Sequence, residues 1–524
     1  MNLVEVVTLQ ANGYHRQTLK QTWDRAQQLA HALKGKGIEI GDRVASFMWN
    51  NYRHLELYQA VPCMGAVLHT LNIRLSPTDL EYIINHAQDR VIFADEDLLP
   101  LLEPILDKIP CVELIVICRH GEAGETSFAN TIDYETLIQD QPSKYEWPVI
   151  DENSPMALCY TSGTTGKPKG VMYTHRSTYL HTITECLADA LAISAKDAIL
   201  GIVPMFHAMG WGIPFSASMV GSKQVMTHRF MTPDAFLKLL HEEDITLATG
   251  VPTIWQGVKS LLEEQPDKYD LSKVERLTCG GSAPPVSMMR WYWDKYQIEM
   301  IQGWGMTETN PLGSVSRKVA KYTHQFIDEE AQFENIAKAG LMLPGLEAEI
   351  FDENWQRLPH DGEAVGELLV RGPWVASEYY NDPQPDKFHD GWLVTGDVAK
   401  IDSGEYILIS DRSKDLIKSG GEWISSVDLE NHIVALTAVQ QAAVVAQPHP
   451  RWDERPVALV VLAKGKSIEQ NEILEHCIEI FAKWQLPDEI LFVETIPLTA
   501  TGKIDKKAIR AQLDKDGYQL PSLR

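Results

Sequence analysis

The 524-residue chain has no long apolar run, no cysteine pairs at close spacing and no excess of basic residues, and each absence removes a class of function. No stretch approaches the roughly 18 consecutive apolar residues of a membrane-spanning helix. The start, MNLVEVVTLQANGYHR, has no basic segment followed by an apolar one, so no secretory leader is expected. The seven cysteines (Cys63, Cys111, Cys118, Cys159, Cys186, Cys279, Cys477) are odd in number, scattered and never in a C-x-x-C pair, which fits neither a disulfide framework nor a zinc site. A reducing cytoplasm is the expected compartment. With 47 basic against 72 acidic residues the formal charge is −25, which repels a phosphate-rich polymer, and nucleic acid is not an expected partner.

What is present is apolar material for more than one core: 44% of the residues are hydrophobic, and a chain of this length divides into two or three compact units. Amphipathic stretches such as LKQTWDRAQQLAHALKGKG alternate with β-branched runs such as RVASFMW and RVIFAD, the pattern of a parallel βα sheet. LCYTSG, ILGIVP, ITLATGVP, RLTCGGSAP and EMIQGWG each read as a buried strand running into a Gly- or Pro-containing loop, with a helical stretch following in most cases. Ligands in such sheets sit beyond the strand C-termini. After about residue 340 the texture changes to short alternating strands (LEAEIFDENWQRL, GELLVRGP, GEYILISD), which suggests a small distorted antiparallel sheet or β-barrel. From Asp411 a helix–strand–strand–helix–strand–helix pattern begins afresh. The expected fold is therefore α/β: a large domain of βα-layered sheets with a small β-barrel over 1–410, and a small α+β domain over 411–524. The hinge is expected near 411–415.

The segment Tyr160-Thr161-Ser162-Gly163-Thr164-Thr165-Gly166-Lys167-Pro168-Lys169-Gly170 packs glycines, hydroxyls and two lysines between the apolar runs MALCY and VMY. Glycines let backbone N–H groups approach a phosphate, hydroxyls donate to its oxygens, and lysines neutralise its charge. It is not a Walker A loop, because Pro168 follows Lys167 and Thr161 occupies the first glycine position.

On this loop the sequence resembles the adenylate-forming superfamily: acyl- and aryl-CoA synthetases, luciferases and peptide-synthetase adenylation domains. Four further landmarks stand in the family's order: QGWGMTET (302–309), TGD (395–397), DRSKDLIKSGGEWIS (411–425) and TGKIDKKAI (501–509). The wording of these segments is most similar to medium- and long-chain fatty-acyl-CoA synthetases. The resemblance implies ATP, Mg²⁺ and coenzyme A, an acyl-adenylate intermediate, and a mobile small domain.

It also implies residue roles. Thr161, Ser162, Gly163, Thr164, Thr165, Gly166 and Lys169 would cradle the phosphates. Gly281, Ser282 and Ala283 would form the adenine-side wall. In Gln302-Gly303-Trp304-Gly305-Met306-Thr307-Glu308, a Trp304 flanked by glycines can lie flat against a purine, and Glu308, with Thr161, would hold Mg²⁺. Asp397 and Arg412 would take the ribose hydroxyls. Lys503 would enter the cleft between the domains and bridge carboxylate and α-phosphate, where a point charge relieves the repulsion between an anionic nucleophile and an anionic phosphate. Rotation about Lys414 would then withdraw Lys503 and present Lys418, Gly420, Gly421, Glu422 and Trp423 to the pantetheine arm.

For the acid, VPMFHAMGWGIPF (203–215) places His207 at the expected carboxylate end and Trp211 as a gate to an apolar pocket. Two other acceptors of the chemistry compete with a fatty acid. One is a short thioether acid such as 3-methylmercaptopropionate, whose synthetases share the QGWGMTE and KSGGEWISS wording. The other is a free-standing adenylating enzyme that delivers its acyl group to a carrier protein. The chain begins close to HRQTLKQTW, so much of the N-terminal arm by which some long-chain members dimerise is missing, and dimerisation by that route is not expected.

Overall fold

The computed structural model describes residues 3–121, 126–161, 167–317, 328–420, 422–499 and 503–521. Two large sheets carry the first half of the chain. The seven-stranded sheet has the order Thr131–Asp133, Leu114–Cys118, Asp89–Asp95, Arg43–Phe47, Val67–Thr70, Pro155–Tyr160, Gly170–Thr174. All its pairs are parallel except the last. Strands buried on both faces need no alternation, and Leu114–Cys118 (LIVIC) is apolar and buried at every position.

The nine-stranded sheet runs Leu341–Met342, Leu312–Ser316, Glu299–Gly305, Arg276–Gly280, Leu247–Gly250, Ala198–Gly201, Lys223–Met226, Glu5–Gln10, Gly13–Thr18. It is parallel in the middle and antiparallel at both edges. Helix Leu19–Gly35 packs into an apolar cluster that draws on strands of both sheets. Its start is written in the sequence: Thr18 accepts from the Gln21 N–H, and the Gln21 side chain accepts from the Thr18 N–H, a reciprocal cap. Its buried residues Leu19, Thr22, Ala26, Leu29, Ala30 and Leu33 recur at helical spacing.

A five-stranded antiparallel sheet follows (Glu347–Phe351, Gly366–Arg371, Trp392–Ile401, Phe388–His389, with Ile407–Arg412 on the long strand), as the shorter alternating runs led one to expect. The last sheet joins Glu422–Ile424, Ile417–Ser419, Asp453–Leu462, Val439–His449 and Glu489–Phe492. Ile417, Ile424, Leu429, Val444, Val460 and Ile473 centre one of two apolar clusters whose members all come from 417 onward. Among the described residues no helix is long and apolar enough to cross a membrane.

Two local features add to the sequence reading. The glycine-rich loop between the runs MALCY and VMY connects the two strands of an antiparallel hairpin, Tyr160 facing Gly170. Gly170 fits that position closely, since a methyl group there would lie 3.1–3.2 Å from Leu158, Tyr160 and Tyr380. The second is the Ile417–Ser419/Glu422–Ile424 hairpin, whose three-residue strands carry too few alternating positions to be read as strands.

Candidate active site

One cleft of about 490 Å³ gathers most of the expected residues. It lies beyond the C-termini of Leu247–Gly250, Arg276–Gly280 and Glu299–Gly305, where a parallel sheet presents its loops. Thr161, Lys169, His207, Trp211, Gly281, Ser282, Ala283, Gly303, Trp304, Gly305, Met306, Thr307, Glu308, Arg412, Lys414 and Lys503 all line it. Ser162–Gly166 and Gly421 lie outside the described residues. Gln302 is buried but does not line the cleft. Lys418, Gly420, Glu422 and Trp423 are exposed on their hairpin and are not part of the cleft wall in this conformation.

Lys503 reaches deep into the cleft. A methyl group on Gly281 would lie 2.6 Å from Lys503 Cε, and Gly281 holds a φ of +86°, so the absence of a side chain at 281 makes room for the lysine. Burial, reinforced by the nearby Arg412 charge and opposed by Asp397, pushes the Lys503 pKa down to about 8. His207 is held neutral, its pKa pushed down to about 3 by burial and by the charges of Lys503 and Arg74. Arg74 carries no motif and was not anticipated.

Asp397 is the junction of the nucleotide side. Its Oδ2 accepts from the Trp304 indole at 2.8 Å and its Oδ1 from Arg412 Nε at 2.7 Å. A carboxylate accepts about four hydrogen bonds, so two remain for a ligand. The same contact fixes the plane of Trp304, whose ring is 9% exposed and packs so closely on Gly313 that a methyl group there would lie 2.6 Å away. The two strands that carry Trp304 and Asp397 belong to different sheets, which explains why neither spacing nor periodicity pairs these two residues.

Farther along the segment that carries Trp304, Glu308 Oε1 accepts from the Tyr379 hydroxyl at 2.6 Å. The Lys169 ammonium lies 5.0 Å from the centre of the Tyr379 ring and donates to Gln384 Oε1 at 2.8 Å. The Lys169 N–H donates to Thr161 Oγ1 at 3.1 Å. Tyr379 sits in SEYYNDP, a stretch with no spacing that marks it.

The acid side is built on strain. Ala208, Met209, Gly210, Trp211 and Gly212 hold successive φ values of +43°, +53°, +60°, +60° and +78°, a left-handed turn in which three members are not glycine. Such a turn costs about 1–2 kcal/mol per non-glycine residue and persists only where packing compels it. It lays the Trp211 ring against Gly280, where a methyl group would lie 2.8 Å from the indole. Behind it Glu185, fully buried, reaches the cleft wall from helix His175–Glu185. Burial raises its pKa well above the carboxylate range, so it is held neutral, hydrogen-bonded to Ser216, with Oε1 lacking a partner. Neighbouring His181 accepts from the Leu312 N–H at 3.0 Å and is kept neutral by burial. No spacing marks Glu185, because a lone acid on a helix reads as a solvated face.

The chain matches the family model for AMP-binding enzymes over residues 3–380 and that for the AMP-binding enzyme C-terminal domain over 428–503. It is 42% identical to the 3-methylmercaptopropionyl-CoA ligase of Ruegeria lacuscaerulensis, over 97% of this chain and 94% of that one. It is also 42% identical to the medium-chain-fatty-acid–CoA ligase of Ectopseudomonas oleovorans, over 97% of this chain and 92% of that one. Among solved structures, the anthranilate CoA ligase AuaEII in complex with anthranoyl-AMP superimposes with a TM-score of 0.86 at 25% identity, over 98% of this chain and 94% of that one. With its layered α/β sheets, its lysine-, arginine- and carboxylate-lined cleft and these matches along its length, the chain belongs to the AMP-binding, adenylate-forming enzymes and is an acid–thiol ligase of the acyl-CoA synthetase type.

Proposed function

We propose that the enzyme joins a medium- or long-chain fatty acid to coenzyme A through an acyl-adenylate, using ATP and Mg²⁺. The carboxylate oxygen attacks the α-phosphorus and pyrophosphate leaves. The coenzyme A thiolate then attacks the acyl carbon, and AMP leaves with the oxygen it received. The observation that carries this reading is the position of Lys503, buried in one cleft with Arg412 and His207, a cleft that apolar Leu191, Val203, Val251, Ile254 and Met288 also line.

In this reading 1–410 and 411–524 are the two domains, with Lys414 the pivot. Glu308 is the metal-holding residue: a carboxylate on the cleft wall, held by Tyr379, suits a hard cation that takes oxygen ligands. Mg²⁺ there supplies charge neutralisation of the triphosphate. Lys503 neutralises the oxygens between which the new bond forms, Asp397 and Arg412 position the ribose, and neutral His207 orients the carboxylate without competing with Lys503 for it. A closed conformation with Lys503 inside leaves the 418–423 hairpin outside, which is why the thiol step requires rotation.

A second acid is supported by a specific feature. The neutral carboxyl of Glu185 gives the cleft wall a polar point in an apolar setting, and the methylmercaptopropionyl-CoA ligase is as similar to this chain as the fatty-acid ligase. A short thioether acid is therefore the alternative substrate. AMP release dependent on coenzyme A, measured against saturated acids from short to long together with thioether and aromatic acids, decides between them. A maximum among the longer alkanoates supports the fatty-acid reading; a maximum at the thioether acid replaces it. No activity with any acid rejects both.

The pH profile tests the role of Lys503. Its ammonium must be charged to bridge two anions, and above about pH 8 the charged fraction falls roughly tenfold per pH unit. The kcat/KM for ATP in pyrophosphate exchange should therefore decline above about pH 8, and Lys503→Arg, charged throughout, should show no such break. The sign for stability is opposite: between about pH 8 and the ordinary lysine range the folded protein binds fewer protons than the unfolded chain, so this group's contribution to stability rises with pH there.

A further inference from the structure

Away from the cleft, three side chains from three strands converge. Asp95 ends the strand Asp89–Asp95, His120 follows Leu114–Cys118, and His228 follows Lys223–Met226. The first two strands belong to the seven-stranded sheet and the third to the nine-stranded one, so the cluster lies on the seam between them. Asp95 and His228 are buried, and the His120 side chain is 10% exposed. His120 Nε2 lies 2.9 Å from Asp95 Oδ1 and 3.1 Å from His228 Nε2. One donor atom from each of the three residues lies within 4.8 Å of the other two.

Hydrogen bonding alone satisfies this arrangement poorly. A ring nitrogen offers one site, either a hydrogen or a lone pair. If His120 Nε2 carries a hydrogen, two acceptors compete for it. If it carries a lone pair, that lone pair faces the Asp95 carboxylate. Two N–H groups placed head to head would repel. With the Asp95 carboxylate ionised, the best case leaves one hydrogen among three electron-rich atoms out of bulk water, where an unshared lone pair is costly. A cation with open coordination positions uses all three lone pairs at once. Two neutral imidazoles and a carboxylate are a donor set that Zn²⁺ takes. Tetrahedral coordination at zinc–ligand lengths separates the ligand atoms by about 3.3 Å, close to the 2.9 and 3.1 Å that His120 Nε2 keeps from Asp95 and His228.

The surroundings hold the donors in place. The Trp49 N–H donates to Asp95 Oδ2 at 2.8 Å, and Asn51 Nδ2 donates to Oδ2 at 3.0 Å and to Oδ1 at 3.3 Å, with His120 on the Oδ1 side. The His228 N–H donates to Asn50 O at 2.9 Å, and His228 holds a φ of +51°, a conformation a histidine adopts at a cost. His228 Nδ1 is buried without a hydrogen-bond partner, so the ring is oriented by its backbone and its Nε2 side. Two arginine charges, Arg229 and Arg53, act on His228. The two arginines are themselves paired, Arg53 with Glu135 at 2.9 Å and Arg229 with Asp97 at 3.5 Å.

We propose that Asp95, His120 and His228 form a binding site for one divalent transition-metal ion of the zinc class, with water completing the coordination on the exposed side of His120. The ion would fasten the two large sheets together. Asn50, whose carbonyl holds His228, also donates from Nδ2 to Val203 O at 2.8 Å and accepts from the Met205 N–H at 2.7 Å. The site therefore stiffens the segment that leads to His207.

The test is titration of the chelator-treated full chain with Co²⁺ and then Zn²⁺, in buffer containing Mg²⁺ so that sites for hard cations are filled. The expected result is one equivalent of Co²⁺ with the visible absorption of a four-coordinate ion, its displacement by Zn²⁺, and a rise in Tm on adding Zn²⁺. His120→Ala removes the most exposed ligand. It should weaken Co²⁺ binding by at least about a hundredfold and abolish the Zn²⁺-dependent rise in Tm, the rise being measured from the variant's own metal-free Tm. Should that variant fold poorly, His120→Asn gives the same comparison with less loss of packing. Absence of stoichiometric binding by the wild type overturns the proposal, and so does equal binding by a folded His120 variant.

Discussion

Lys503→Ala is expected to lower the rate of adenylation by at least about a hundredfold while leaving thioester formation from supplied acyl-adenylate within a few-fold of wild type. The size follows from where the ammonium sits. It is buried, its pKa is already pushed down to about 8 by the loss of solvent and by Arg412, and no water-rich surroundings screen its interaction with a phosphate. Removing a preorganised charge aimed at a developing bond typically costs a factor of about 10²–10³. The asymmetry between the half-reactions follows from the proposed rotation: a turn of the small domain would withdraw Lys503 and bring in the 418–423 segment, so the thiol step would not feel the substitution. Pyrophosphate exchange reads the first step, and acyl-CoA formation from synthetic adenylate reads the second. Equal losses in both would contradict domain rotation.

Asp397→Ala is expected to reduce kcat/KM for ATP by roughly 10- to 150-fold, the loss of a charge-assisted hydrogen bond worth about 1.5–3 kcal/mol. It acts on three groups together. The ribose would lose the carboxylate proposed for it, the buried Trp304 N–H loses its acceptor, and Arg412 loses the partner that holds its Nε. Because the Arg412 side chain is 41% exposed, water compensates part of the last loss, and a decrease of about 1–3 kcal/mol in stability is the expected accompaniment. Asp397→Asn retains an acceptor for one of the two donors and should fall between wild type and alanine on both measures. Calorimetric binding of ATP and thermal melts separate the two effects. Unchanged ATP binding by a folded Asp397→Ala would remove this carboxylate from the nucleotide site.

Much of this architecture is legible in the sequence because its signals are local. LIVIC, VASF and the capped helix from Leu19 announce buried strands and an amphipathic helix by composition and spacing alone. Lys503, Glu308, Asp397 and Arg412 stand in segments whose wording resembles known adenylate-forming enzymes, and four strands or loops far apart in sequence bring three of them to the cleft lining with Asp397 tied behind. The residues that were not legible act across sheets. Tyr379 matters because it reaches Glu308, Arg74 because its charge acts on His207, and Glu185 because a helix end is buried against Gly212 and Ser216. The same holds for His120 and His228, 108 positions apart and joined only by the meeting of two sheets. The left-handed turn at 208–212 is likewise invisible, since Ala208, Met209 and Trp211 have no intrinsic preference for it.

The most direct measurement follows an oxygen atom. The acid is supplied with ¹⁸O in both carboxylate positions, turned over with ATP and coenzyme A, and the AMP is examined by mass spectrometry. Attack of the carboxylate on the α-phosphorus, followed by thiolysis at the acyl carbon, predicts AMP carrying one ¹⁸O and pyrophosphate carrying none. Unlabelled AMP, or label appearing in inorganic phosphate alongside ADP, would contradict an acyl-adenylate and with it the central role assigned to the cleft around Lys503.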